Sequence, residues 1–224
     1  MILTVGGLLS EDELKKIHED LKTLSWRDGA ETAGGVARTV KKNEQADLTS
    51  RNGVKLRERL EAKLQAHPVL LAYARPARWT RPLISRSRDS GGYGLHIDNS
   101  FMQSGRQRVR TDLSFTLFLS DPQSYEGGQL AIEVAGMTHR VKGEAGDVVI
   151  YPSTTLHQVT PVTSGERIVC VGWMQSRVRS AEQREMLFDL EVLKAELGKK
   201  LDPNCGEMLT LSKTMANLKR MWLE

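Results

Sequence analysis

The stretch Gly91-Gly92-Tyr93-Gly94-Leu95-His96-Ile97-Asp98-Asn99-Ser100-Phe101 decides how this chain is read. As a β-strand it turns side chains at i and i+2 to one face, so His96 and Asp98 converge on a single point. An imidazole and a carboxylate so placed make two legs of a metal site, and a third leg must come from elsewhere. The glycines on the N-terminal side let the backbone turn tightly into the strand.

Outward from this stretch the β pattern continues. Asp112 to Ser120 alternates cleanly at Leu113, Phe115, Leu117 and Leu119. Gln129–Glu133, Thr138–Val141, Val148–Tyr151, Leu156–Val159 and Arg167–Trp173 follow, separated by turn-rich connections, with Thr163-Ser164-Gly165 read as a turn. Upstream, β character is expected from Val69, and Leu83-Ile84-Ser85 leads to a turn at Asp89–Gly92. About eight short strands with no helix between them indicate a sandwich or jelly-roll barrel.

Helices flank this series. Ser10 caps a helix over residues 11–24, whose acidic first turn (Glu11, Asp12, Glu13) suits the positive helix N-terminus. Leu56 to Leu64 forms a second helix, ended by His67-Pro68. Residues 27–39 read as a loop and residues 41–47 as a polar stretch. After Gln175 the composition turns to helix formers, with one helix from Ser180 to about Gly198 and another over 207–223, split by Pro203–Gly206. The expected fold is mainly β with flanking helices: a double-stranded β-helix (jelly-roll) core, N-terminal helices and a C-terminal helical extension. Residues 1–176 form one domain, with helices within 1–67 and the jelly-roll over 69–176. Residues 177–224 form the extension, which is too small to fold alone.

Bulk properties exclude several classes. The chain has 224 residues, 39% hydrophobic and 27% charged, which suits a soluble globular protein able to bury a core. No run of about 18 apolar residues spans a membrane, and Met1–Val5 lacks the features of a secretion signal. Cys170 and Cys205 make neither a disulfide framework nor a thiolate metal site, so a cytoplasmic location is expected. Net charge is +4, but the arginines cluster: Arg75, Arg78, Arg81, Arg86 and Arg88 precede the central stretch, and Arg106, Arg108 and Arg110 follow it. They form either a solvated surface or an electropositive rim for an anionic substrate.

Five histidines could supply the third leg: His18, His67, His96, His139 and His157. His18 lies on a helix, and His139 sits on an exposed hairpin. His157 lies in a late strand. Two histidines and one carboxylate on one face leave three positions open on an octahedral ion, the ligand set of non-haem Fe(II) oxygenases. The same ligands on zinc would leave one. Arg167, ten residues past His157, is a candidate for holding one end of a dicarboxylate bidentately. Its facing does not follow from the pattern, because the turn length between the strands is uncertain.

The order His96-x-Asp98, His157, Arg167 resembles the 2-oxoglutarate- and Fe(II)-dependent dioxygenases of the prolyl 4-hydroxylase-like branch, and more closely the bacterial PKHD-type (PiuC-like) hydroxylases. Asp28–Gly34, Val40–Gln45, Tyr93–Asn99, Asp112–Ser120, Glu126-Gly127-Gly128 and Tyr151-Pro152-Ser153 carry the resemblance. It implies that His96, Asp98 and His157 ligate Fe(II) and that Arg167 binds the distal carboxylate of 2-oxoglutarate. It also implies that O2 is consumed and that succinate and CO2 are released as a substrate is hydroxylated, L-ascorbate being an optional reductant. One departure stands out. The family has a tyrosine nine residues before the first ligand, where its hydroxyl helps bind the cosubstrate; here that position is Ser87, whose hydroxyl is too short for the same contact.

Tyr93 and Phe101 flank the ligands and either line the pocket or pack in the core. Asn99–Arg110 is polar, contains Gly105 and suits either a substrate lid or a flexible loop. A metal- or cosubstrate-binding sensor and a zinc hydrolase are the rival readings. The latter wants a general base, for which Glu126 and Glu133 are poor candidates. The substrate is unidentified; the arginines favour an anionic one, nucleic acid is disfavoured, and no membrane partner is expected. The apolar face of the C-terminal helices suits a homodimer.

Overall fold

The computed structural model describes residues 1–32 and 35–224. Every strand pairing is antiparallel. The larger sheet runs in the order β1 (Leu3–Val5), β14 (Val148–Pro152), β10 (Leu113–Phe118), β17 (Arg167–Ser176), β6 (Leu83–Ser87), β4 (Glu44–Ala46) and β2 (Trp26–Asp28), with β5 (Pro76–Trp79) also paired to β17. The smaller sheet runs β13 (Met137–Val141), β12 (Leu130–Val134), β15 (His157–Val159), β7 (Gly92–His96) and β3 (Lys41–Lys42). Two further pairs complete the set: β11 (Tyr125–Gly127) with the sequence-distant β16 (Val162–Gly165), and the hairpin of β8 (Phe101–Ser104) with β9 (Gln107–Arg110).

Inner faces of both sheets line one cavity, which is the expected jelly-roll arrangement. Why it forms is clearest in β10, where all six residues are buried. Leu113, Phe115 and Leu117 belong to the main core with Leu56, Leu60 and Leu64 of α2 (Arg51–Ala66) and Ile17 and Leu21 of α1 (Glu11–Lys22). Ser114 and Thr116 alternate to the other face and line the cavity. The helices thus cover the outer face of the larger sheet, and its inner face is free to carry polar groups. A second core, built on Phe118, Leu130, Ile132, Val149, Tyr151 and Val169, closes the space between the sheets beside the cavity.

Several expectations need correcting. Residues 69–74 are helical, in α3 (Pro68–Ala74), not β. Pro68 ends α2 as expected, but it also opens the next helix at its first turn, where a missing N–H costs nothing. Leu70, Tyr73 and Ala74 are the buried face that makes this helix worthwhile. Thr163-Ser164-Gly165 is not a simple turn: it belongs to β16, which pairs with β11 and ends at Gly165 with φ +73. Asn99–Arg110 is largely the β8–β9 hairpin. The loop expected over 27–39 contains β2 and two 3-10 turns, Gly29–Thr32 and Gly35–Val40, and its Ala33 and Gly34 lie outside the described residues. Part of the polar stretch after it pairs as β3, at the edge of the smaller sheet, and as β4, between β2 and β6 in the larger one.

The C-terminal helices α4 (Ala181–Leu197) and α5 (Gly206–Trp222) form as expected. Tyr73 meets Phe188 edge to face at 5.4 Å, and Glu191 binds both Arg75 at 3.3 Å and Lys219 at 2.6 Å. Cys170 is buried and Cys205 is half-buried. Among the described residues no helix is long and apolar enough to cross a membrane.

The cap expected on α1 is a full capping box, Ser10 and Glu13 each satisfying the other's backbone N–H. Glu13 also binds Lys63 of α2 at 2.6 Å, and these contacts, Lys63 foremost, draw its carboxyl from 4.5 to about 2. A carboxyl depressed in the folded state stabilises above its unfolded value, and that stability disappears as pH falls from 4.5 towards 2. Glu13→Gln should therefore lower the melting temperature at neutral pH and flatten the acid limb of a melting-temperature-against-pH curve. An acid limb identical to that of the wild type would show that Glu13 is not linked to folding.

Candidate active site

His96 closes β7 and His157 opens β15, and the two residues face each other in register across the smaller sheet. Their rings lie 4.3 Å apart at 54°. Each imidazole is fixed in the same way: Nδ1 of His96 lies 2.7 Å from the Gly94 carbonyl, and Nδ1 of His157 lies 3.0 Å from the Thr155 carbonyl. A carbonyl only accepts, so the proton sits on Nδ1 in both, and both Nε2 lone pairs are left for the site. Burial first, then the neighbouring His157, pulls His96 down to about 4, so it stays neutral at physiological pH. Neutral imidazole is the form that binds a metal.

Asp98 lies just beyond the end of β7. One carboxylate oxygen accepts from Ser114 Oγ at 2.6 Å and stands 3.7 Å from His157 Nε2. Ser114 in turn meets Ser153 Oγ at 2.7 Å. The potential ligand atoms of His96, Asp98 and His157 all lie within 4.8 Å of one another, a set able to hold one metal ion. His139, the rival, is exposed on β13, and His18 instead bonds the Leu119 carbonyl at 2.7 Å.

The cavity around them measures about 650 Å³ with its open mouth and also takes in Tyr93, Ser87 and Arg167. Tyr93 stacks on His96 at 3.5 Å, which gives it a pocket role. Phe101 does not line the cavity; it lies on the β8–β9 hairpin beneath Arg108, whose guanidinium sits 4.2 Å from its ring.

Arg167 faces inward, settling the point the strand pattern left open. It is 2% exposed, and no carboxylate pairs with it among the described residues. Burial pulls its pKa down from the ordinary arginine value. Its Nε and the Tyr125 hydroxyl are both buried without a hydrogen-bond partner. Gly128 makes the space: a Cβ there would stand 2.8 Å from Arg167 Cδ and 3.0 Å from Tyr125 Cε2, and its φ of +62 favours glycine anyway. Ser87 lies opposite Arg167 in the β6–β17 register and is also buried. A buried guanidinium whose Nε lacks a partner has the chemistry to receive a carboxylate.

Four residues that sequence reasoning did not assign to the site belong around it. Ser114 orients Asp98. Tyr151, buried against His157 at 5.2 Å between ring centroids, has its hydroxyl pKa raised by burial. Tyr125 lies beside Arg167. Lys41 lines the cavity 5.3 Å from the Tyr93 ring, and burial brings its ammonium down to about 8. The signal for Lys41, Tyr125 and Tyr151 was their place within or next to the motif segments, and Ser114 was hidden in the polar phase of the β10 alternation.

Comparison with known proteins agrees with this geometry. Residues 82–175 match the model of the 2OG-Fe(II) oxygenase superfamily. A PKHD-type hydroxylase of Hyphomonas neptunium is 54% identical over 221 residues, covering 99% of both chains. Another, from Synechococcus elongatus, is 44% identical over the full length of both. Among solved structures, a Pseudomonas putida prolyl-4-hydroxylase superposes with a TM-score of 0.53 at 20% identity, covering 79% of this chain and 92% of its own. HygX from Streptomyces hygroscopicus, solved with nickel, 2-oxoglutarate and hygromycin B, gives 0.55 at 17% identity, covering 78% and 82%. At these identities the two structures speak for the fold alone. Fold and site together define a 2-oxoglutarate- and Fe(II)-dependent oxygenase. Within that class the chain belongs to the PKHD-type hydroxylases.

An unpaired buried charge costs stability. Arg167→Met should raise the unfolding free energy of the protein free of metal and cosubstrate by on the order of 1 kcal/mol, measured by urea denaturation. If the guanidinium receives a carboxylate of 2-oxoglutarate, adding Fe(II) and 2-oxoglutarate should stabilise the wild type more than the variant, which keeps the three candidate metal ligands but lacks the anion site. A variant less stable than the wild type without ligands would mean that Arg167 has a structural partner.

Proposed function

We propose that His96, Asp98 and His157 hold the Fe(II) of this hydroxylase and that Arg167, aided by Tyr125, binds the distal carboxylate of 2-oxoglutarate. The observation that carries the reading is the paired locking of Nδ1 in both histidines, which leaves two Nε2 atoms and the Asp98 carboxylate converging on one point. Three protein ligands on one face leave room for a chelating cosubstrate and for O2. When bound, iron and 2-oxoglutarate supply the oxidising chemistry: one oxygen atom of O2 enters a substrate C–H bond, and the other leaves in succinate as CO2 is released.

The chain's own residues hold and shield the reactants. Ser114 donates to Asp98 and so keeps one carboxylate oxygen turned towards the site. Tyr93 and Tyr151 wall the two imidazoles and limit water around them. Ser87, paired with Arg167, offers only a short hydroxyl beside the guanidinium, so the cosubstrate depends heavily on Arg167. A zinc hydrolase finds no support here, since Asp98 is the sole carboxylate lining the cavity among the described residues and a general base is missing. Residues 177–224 act as a buttress to α3, and the exposed Met186, Val192, Leu193, Leu209 and Met221 support pairing of two copies through this extension. Sedimentation equilibrium should then report twice the chain mass, falling to the monomer in Leu193→Glu/Leu209→Glu; a monomeric wild type would remove the pairing.

Fe(II) and 2-oxoglutarate added without oxygen should produce a weak visible charge-transfer band, absent in His96→Ala and Asp98→Ala. Ser114→Ala should keep the band but need about tenfold more iron to saturate it. Under air the wild type should form succinate. No band and no succinate would sink the assignment, while a band retained in Asp98→Ala would transfer the ligand role to another residue.

A further inference from the structure

The arginines around the site fall into two groups. Residues 75–88 hold five arginines and no acid, and residues 99–111 hold three arginines and no acid. Four of these eight are neutralised by carboxylates brought from elsewhere in the fold. Arg75 pairs with Glu191, Arg86 and Arg88 share Glu44 and Glu166, and Arg110 pairs with Asp112. The other four, Arg78, Arg81, Arg106 and Arg108, have no ion pair among the described residues, and all four are exposed. Glu61 feels Arg81 through space without pairing with it.

Those four meet at one place, the β8–β9 hairpin. Arg106 and Arg108 belong to it. Arg78 donates to the Arg108 carbonyl at 3.4 Å, and the backbone N–H of Arg81 donates to Ser104 Oγ at 3.0 Å. Arg108 is held over the Phe101 ring rather than waving in solvent. Like charges gathered without counter-ions repel one another, and a polyanion relieves that repulsion.

The hairpin also has an open edge. Strand β8 pairs with β9 and with no other strand among the described residues. Alternate residues of such a strand turn their N–H and C=O groups outward, which is a template for another extended chain. Phosphates of a nucleic acid would satisfy the arginines but not the strand edge; a polypeptide satisfies both. The hairpin base is pinned beside the site, because Thr111 bonds the carbonyls of Asn99 and Ser100, the residues directly after Asp98.

We propose that the β8–β9 hairpin is a docking strand for an acidic, extended polypeptide segment, which adds to the edge of β8 while Arg78, Arg81, Arg106 and Arg108 bind its carboxylates. The docked chain then runs past the mouth of the cavity, which makes the substrate a protein or peptide with acidic residues near the hydroxylated position. Only this last step rests on the oxygenase reading; the docking itself needs neither iron nor cosubstrate.

Fluorescence anisotropy of the full chain tests it, with a labelled peptide of alternating Glu and Ala as the probe. The peptide should bind, its Gln-Ala counterpart should not, and binding should weaken as salt is raised through about 0.15 M. Arg106→Glu/Arg108→Glu should weaken binding about tenfold or more, while Arg106→Lys/Arg108→Lys retains most of it. Should the reversed-charge protein fail to fold, Arg78→Glu on β5 serves the same purpose. The proposal is overturned if the wild type binds both peptides alike, if charge reversal leaves binding unchanged, or if a short single-stranded DNA binds more tightly than the acidic peptide. Reversed-charge variants should keep the iron charge-transfer band, and His96→Ala should lose the band but keep the peptide. Peptide binding without any band in the wild type would leave the docking surface standing and remove the oxygenase assignment.

Discussion

Each histidine of the site gives its Nδ1 proton to the carbonyl two residues earlier in the chain, Gly94 for His96 and Thr155 for His157. This repeated bond ties ring orientation to backbone geometry, so the two Nε2 atoms converge only if β7 and β15 are in register. The cross-strand pairing of His96 with His157 is therefore the constraint on which the site depends. A slip of one residue would put the two imidazoles on opposite faces of the sheet. Pairing of β12 with both β15 and β13 holds that register from the other side.

The larger sheet carries the other half of the site and meets a different demand. Its β10 must bury one face against helices and offer the other to a polar cavity. The helices α1 and α2 provide the apolar cover, which is why Leu113, Phe115 and Leu117 alternate with Ser114 and Thr116. Arg167 on the neighbouring β17 is the costliest group in this layer. Its charge is buried with no acidic partner among the described residues, and Gly128 yields the room it occupies. Natural sequences keep such a group when a ligand supplies the missing charge.

Electrostatics outside the cavity follow from folding rather than from composition. Eight arginines look alike along the chain, yet Glu44, Glu166, Glu191 and Asp112 neutralise four of them and leave the four around the β8–β9 hairpin. A net charge of +4 says nothing of this division.

Much of the molecule was legible in the chain. Alternation marked β10, turn residues bounded the late strands, Ser10 and Glu13 marked the start of α1, and the spacing of His96 and Asp98 put both on one side. These features depend on neighbours within a few residues, where side-chain direction follows from backbone period. What failed were segments whose state depends on distant partners: α3, whose proline opened a helix because Leu70, Tyr73 and Ala74 had a core to enter, and β3, β4 and β16, which are strands only because other strands reach them. The inward facing of Arg167 and the place of Ser114 behind Asp98 were decided by tertiary structure alone. Each is a question of which face of a strand meets which sheet, and only long-range packing answers it.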